Sequence, residues 1–485
     1  MKKYLVIFFT LLFFSTSAQT VHQYLEKIRN NPAMLTAFFS QMPKGGDLHH
    51  HYSGSVYAET FVNYVIAQDC FINRTTLEVN DKKPSAGQEW ARLSEIKKEG
   101  LLEEYKFRLL QRWSVKDYNG VSGPSDRQFF DSFNHFDIAS EHNIDSGLLE
   151  LKKRAIQENV SYIETMLASA KCGRTDDLSL SFDPRLQFVQ KQNNAEQCRL
   201  LLDTLYQELL KKEVIACADD FSLNTVTKLH QSLKIDDDSF TMRYQTYTVR
   251  ILEATEVFKR LLIAFDAASK NPLIVGVNIL SPENNDVSMR DYWLHMQMFK
   301  YCHNKYPQVK YSMHAGELTL GLVKPEELSW HINAAVREAG ASRIGHGVDL
   351  PYESKSYDLL RYMKEKDVAV EINLTSNEFI LKIKGDRHPI SLYKEFQVPI
   401  VISSDDAGVL RTNLTEQYVL LAARYPQFNY EDIKKLVYNS INYSFIKEPS
   451  VRQKLLLKLN KDFIRFEQVI LSQKKAPVSQ SPGKR

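Results

Sequence analysis

Cysteine is scarce and dispersed: five in 485 residues, at Cys70, Cys172, Cys198, Cys217 and Cys302, with no C-x-x-C pair among them. A disulfide framework is therefore not what holds this fold, although one or two bridges can form and an odd count leaves a thiol over within one chain. Charge of one sign is missing too. Lysine and arginine number 62 against 59 acidic residues, a formal net charge of +3, with no concentrated basic stripe. Neither a nucleic-acid-binding nor a membrane-binding surface is expected, and the partner is a small molecule. After the first twenty residues no run is continuously apolar enough to span a bilayer. There is no internal repeat.

What is there begins with an N-terminal address. Lys2 and Lys3, an apolar run from Tyr4 to Phe14 and small residues ending at Ala18 have the three parts of a secretory signal peptide, residues 1–18. This predicts a secreted or periplasmic chain with no membrane segment after cleavage. Residues 19–41 read as an N-terminal helical extension, amphipathic from Val21 to Gln41 and broken by Met42-Pro43-Lys44-Gly45-Gly46.

From residue 42 to 473 short β-branched runs alternate with longer helical patterns. Asp47–His49, Val160–Glu164, Tyr244–Val249, Leu273–Leu280, Val309–His314, Ser342–Gly345, Val368–Ile372 and Pro399–Ser403 read as buried strands. Eight strands, each followed by enough chain for a helix, predict an α/β fold: a (β/α)8 TIM barrel. The polar stretch from about 68 to 125 breaks the alternation and reads as an insertion after the first strand, lying over the barrel mouth. Leu178–Ser239 adds helices, and the Ser/Pro/Lys tail 474–485 reads as disordered.

Four clusters close predicted strands. In Asp47-Leu48-His49-His50-His51 the first and third histidines share one side of an extended segment, so His49 and His51 can meet one cation while His50 faces away. His314-Ala315-Gly316-Glu317 sets an imidazole three residues before a carboxylate, with a small pair that lets the chain turn. Arg343-Ile344-Gly345-His346-Gly347 carries a histidine between glycines, and Ser403-Ser404-Asp405-Asp406 a pair of carboxylates. Each alone has an ordinary explanation: a solvated histidine run, a strand-end hydrogen bond, a turn, a helix cap. Together, at four strand mouths, they supply the nitrogen and oxygen donors of a catalytic zinc with a position left for water.

This ordered set resembles the adenosine deaminase family of metal-dependent amidohydrolases. Met42-Pro43-Lys44 with the histidine run, His314-Ala315-Gly316-Glu317 and Ser404-Asp405-Asp406 are similar to its opening, central and closing motifs. The signal peptide, the lead-in, the insertion and Phe129-Phe130-Asp131-Ser132-Phe133 look most like the secreted, growth-factor-related branch, in which an extra N-terminal helix mediates a homodimer. The resemblance implies one zinc per subunit, held by His49, His51, His314 and Asp405, and hydrolysis of adenosine and 2′-deoxyadenosine to the inosine product and ammonia. It makes Glu317 the proton donor to purine N1, His346 the group that orients and deprotonates the water and stabilizes charge in the tetrahedral intermediate, and Asp406 the partner of purine N7. His51, Ser53, Ser281 and Asp406 would border the substrate. Two positions depart from the compact members: Ser53 replaces an acidic residue, and Leu280-Ser281-Pro282-Glu283 replaces a glycine-containing turn, where Ser281 retains an N–H and Pro282 has none. Deamination of adenine or of a modified adenosine, and a non-enzymatic growth-factor-like role on the same barrel, are the alternatives.

Overall fold

The computed structural model describes residues 21–84, 89–121, 123–170 and 172–475. The signal segment and residues 476–485 of the expected tail lie outside the described residues; the first two tail positions, 474 and 475, continue the helix Pro449–Lys475.

The described residues open on two helices, not one. Residues 21–28 form the first and Pro32–Gln41 the second. Asn31-Pro32 divides them: the Asn31 side chain accepts the Met34 N–H at 3.1 Å, and proline takes the first helical position, where its missing N–H costs nothing. Val21, Leu25, Ile28, Leu35, Phe38 and Phe39 are all buried, with Phe39 stacked on Tyr418 and Phe38 edge-on to Phe466. The extension thus spends its apolar side on its own barrel.

Strand β1 (Gly45–His51) follows, then a small antiparallel sheet of β2 (Phe71–Asn73), β3 (Val79–Asn80) and β4 (Trp90–Arg92). The remaining strands are β5 (Val160–Ala168), β6 (Thr241–Val249), β7 (Ile274–Leu280), β8 (Lys310–Ala315), β9 (Arg343–His346), β10 (Ala369–Ile372) and β11 (Ile400–Ile402). β1 and β5 to β11 form one eight-stranded parallel sheet in sequence order, with helices between successive strands. Every predicted barrel strand is present, within a few residues at each end. The sheet closes through the backbone: Asp405 N–H donates to the His49 carbonyl at 2.9 Å and His51 N–H to the Asp405 carbonyl at 3.4 Å. This is a (β/α)8 barrel.

The insertion holds the small sheet and the helices Leu93–Lys98 and Leu102–Arg112. The added layer runs past its expected end into the helix Ser125–His142, which packs on the helix Leu374–Leu381 that follows β10. Val115 N–H bonds the Val409 carbonyl at 2.9 Å and Tyr118 packs edge-on to Phe379, so the layer lies against the loops at the C-terminal end of the barrel. Cys172 and Cys217 form a disulfide, whereas Cys70, Cys198 and Cys302 are free and buried.

Apolar layers usually fill such a barrel. Here polar side chains from five strands meet inside it. Arg343 pairs with both Glu164 and Glu371; Gln245 donates to Glu164 at 2.9 Å, and Asn278 donates to Gln245 at 3.0 Å. Burying these groups is tolerable because each finds a partner in the next. The network leads upward to the histidines.

Candidate active site

The alternation along β1 does what the spacing predicts. His49 and His51 face the barrel mouth, and His50 turns away to bond Thr165 Oγ1 through Nδ1 at 2.9 Å. Oδ1 of Asp405 lies 3.5 Å from His49 Nε2 and 3.3 Å from His51 Nε2, and His51 Nε2 stands 3.3 Å from His314 Nε2. His346 completes the ring, its Nε2 3.9 Å from Asp405 Oδ2 and 3.7 Å from Glu317 Oε1. Among the described residues, two overlapping sets could hold a cation, His49 with His51 and Asp405, and His49 with His314 and His346. His49 belongs to both.

The donor set suits a divalent metal. His49 Nδ1 is bonded to Glu371 at 2.7 Å and His314 Nδ1 to Asn278 Oδ1 at 3.0 Å. Each bond to an acceptor oxygen places the ring proton on Nδ1 and turns a bare Nε2 toward the center, the arrangement of metal-binding imidazoles. His49 Nε2 is buried with no hydrogen-bond partner in the protein. Burial opposes charge on His49, yet Asp405 and Glu371 outweigh it and lift its pKa to about 10, so the carboxylates call for a positive charge at this point. Asp405 itself is held well below the usual carboxylate range: burial resists, but His49 and His51 prevail.

Glu317 stands in the opposite condition. Burial first, then the charge of Asp405, push its pKa up to about 8, so it keeps its proton at neutral pH. Asp406 is raised well above the usual range for the same two reasons, and its Oδ1 is buried without a partner. Adjacent aspartates are thus split, one an anion beside the imidazoles and one a neutral acid. Burial pushes His346 down to about 3, leaving a neutral ring.

Backbone strain marks the same strand ends. Ser281, His346 and Asp405 have φ of 91°, 70° and 61°, values that favor glycine. At Ser281 the serine takes the conformation that a glycine would otherwise supply. Gly347 N–H bonds the Gly345 carbonyl at 3.0 Å, making a tight three-residue turn about His346. Gly345 is required beside it, because a Cβ there would lie 2.6 Å from His49 Cε1. Gly54 makes room for Asp406 in the same way.

His49, His51, His314, Glu317, His346 and Asp405 converge, with Asp406 next in the chain. Ser53, in the short helix Tyr52–Ser55, and Ser281, after β7, are half-buried beyond the ends of β1 and β7. The supporting residues were not singled out from sequence: Glu371 and Asn278 behind the histidines, Asn377 behind His346, and Glu283. Buried Glu283 accepts the N–H groups of Gly316 at 3.2 Å and Glu317 at 2.9 Å and pairs with His331 at 2.6 Å, fixing the loop that carries Glu317. A signal existed for two of them: Glu371 and Asn278 are lone polar residues inside apolar strand runs, and a buried polar group has a reason to be there.

The family described as Adenosine deaminase matches residues 213–462, just over half of the chain, including the His314, Glu317, His346 and Asp405 motifs. The chain belongs to the adenosine deaminase family. Within it, the adenosine deaminase of Clostridium kluyveri is 32% identical over 143 residues, 29% of this chain and 38% of that protein. The alignment therefore spans about two fifths of that relative's length. Among solved structures, an apo N6-methyl-AMP deaminase from Arabidopsis thaliana superposes with a TM-score of 0.54 at 17% identity, covering 88% of this chain and 98% of that one. An amidohydrolase from Burkholderia ambifaria with bound Zn gives 0.52 at 15% identity, covering 90% and 94%. At these identities the likeness is one of fold.

Proposed function

We propose that this chain hydrolyzes adenosine and 2′-deoxyadenosine to inosine or 2′-deoxyinosine and ammonia. The observation that carries the reading is Glu317: a buried carboxylic acid, protonated at neutral pH, beside the convergent imidazoles and Asp405. His49, His51, His314 and Asp405 would hold zinc. When bound, zinc lowers the pKa of water toward neutrality and so supplies a nucleophile.

The chain's own groups do the rest. Glu317 gives a proton to ring N1, drawing electrons from C6 as water adds there. Asp406, protonated, donates to N7 and holds the purine in plane with that acid. His346 faces the incoming oxygen from the side of Asp405. The Ser281 N–H would meet purine N3, and Ser53 would take the ribose side. The proton lost by the water passes to the 6-amino group, which leaves as ammonia, and the C6 hydroxyl proton returns to Glu317 as the carbonyl forms. Export to an oxidizing compartment is part of the same reading, supported by the three-part N-terminus and by the Cys172–Cys217 bond. The helical extension and the layer over the barrel mouth support placing the chain with the secreted, growth-factor-related members.

The substrate is tested by incubating metal-replete protein with adenosine, 2′-deoxyadenosine, adenine, AMP and N6-methyl-AMP and following absorbance near the adenine maximum. Turnover of the first two supports the reading. Preference for one of the last three by 10-fold or more would replace the substrate but keep the chemistry, and no turnover of any would end the proposal.

A further inference from the structure

We propose that His346 presents an N–H, not a lone pair, to the reacting center, and that Asn377 and His388 are positioning residues that fix this tautomer. The inference rests on the deaminase reading of the site only for its catalytic consequence.

A backbone amide can only donate, and Ile390 N–H points at His388 Nδ1, 3.1 Å away. That nitrogen is therefore an acceptor. His388 is buried in a neutral state, its pKa pushed down to about 3 by burial and then by Arg424, so its one proton sits on Nε2. His388 Nε2 lies 3.0 Å from Asn377 Oδ1, which accepts that proton. With its oxygen committed, Asn377 turns its NH2 group to His346, and Nδ2 stands 3.0 Å from His346 Nδ1. Asn373 Nδ2 faces the same nitrogen at 3.4 Å. Nδ1 of His346 thus accepts, and the proton of a neutral ring must lie on Nε2, the nitrogen near Glu317 and Asp405.

A chain of one-way hydrogen bonds runs from the first N–H of the helix Ile390–Glu395, through two side chains, to the site. Asn377 and His388 are both buried, so water does not compete for these bonds. With Nε2–H directed inward, His346 donates a hydrogen bond to the oxygen adding at C6 and stabilizes the charge that grows there. Abstraction of a proton by that nitrogen is excluded in this tautomer.

Neutron diffraction from deuterated, zinc-loaded crystals reads the tautomer directly and needs no substrate. A deuteron on His346 Nε2 with Nδ1 bare is expected; a deuteron on Nδ1 with Nε2 bare overturns the proposal. Asn377→Asp provides a kinetic test, since a carboxylate accepts from both rings and pulls the His346 proton to Nδ1. With adenosine as substrate, kcat should fall about 10²- to 10³-fold while KM stays within a few-fold. Asn377→Asp with wild-type kcat and correct folding by circular dichroism would contradict the relay. Should the wild-type protein turn over no purine, the functional reading fails and the neutron map still decides the tautomer.

Discussion

His51 Nε2 lies 3.3 Å from Asp405 Oδ1, and the same two residues are joined through the backbone, His51 N–H to the Asp405 carbonyl at 3.4 Å. The first and last strand ends of the barrel are therefore sealed by residues that also offer donors to a cation. Metal binding and barrel closure share one seam.

That sharing predicts a stability effect. A ligand bound only by the native state stabilizes by about 2.7 kcal/mol at one hundred times its Kd. Calorimetry with and without a chelator should show Tm falling by several degrees on metal removal and returning with zinc. An unchanged Tm across chelation, with metal loss verified by elemental analysis, would mean that the seam holds without a cation.

Glu371 tests how the first histidine is held. Its carboxylate takes the His49 Nδ1 proton at 2.7 Å, and its other oxygen meets Ser312 at 2.9 Å and Arg343. Glu371→Gln should weaken zinc affinity about 10- to 100-fold and lower stability, because Arg343 loses one of two buried counter-charges. Competition with a chromophoric chelator measures the first effect and thermal melting the second.

Gly54 separates substrate from metal. A Cβ at this position collides with Asp406, the carboxyl assigned to the purine, whose side chain supplies its three nearest atoms. Gly54→Ala should raise KM for adenosine and lower kcat/KM by about tenfold or more, one broken hydrogen bond or worse, with zinc content unchanged. Steady-state kinetics beside elemental analysis distinguishes this from a folding defect.

Glu317 makes metal-free stability depend on pH. Its folded pKa is raised from 4.5 to about 8. Below the unfolded value both states carry the proton. As pH rises toward 8 the unfolded chain ionizes while the native acid stays neutral, so stability drains away, by a few kcal/mol in order of magnitude. Glu317→Gln does not titrate, and its stability relative to wild type should therefore grow from pH 5 to pH 8. Urea denaturation of the two metal-free proteins at both pH values measures the difference.

The sequence carried the frame and the reacting groups, and much less of what holds them. All eight barrel strands are legible because buried parallel strands are continuous apolar runs, and the spacing of His49 and His51 places both on one face. The division of the N-terminal helix at Asn31-Pro32 was missed, because the apolar period continues across it and masks the turn. Asn377 and His388 were not. Their roles depend on hydrogen bonds between strand β9, the helix Leu374–Leu381 and the turn before Ile390, and local pattern does not encode which polar atoms will meet across a barrel. The split of Asp405 from Asp406 likewise comes from the imidazoles around one and the burial of the other.

The most direct test is ammonia release from adenosine by purified protein in three states: as loaded with zinc, after chelation, and after zinc is restored, with Glu317→Gln alongside. Deamination should disappear on chelation, return with zinc, and fall about 10²- to 10⁴-fold in Glu317→Gln at full zinc occupancy. Deamination that survives complete metal removal, or a fully active Glu317→Gln, would contradict this mechanism.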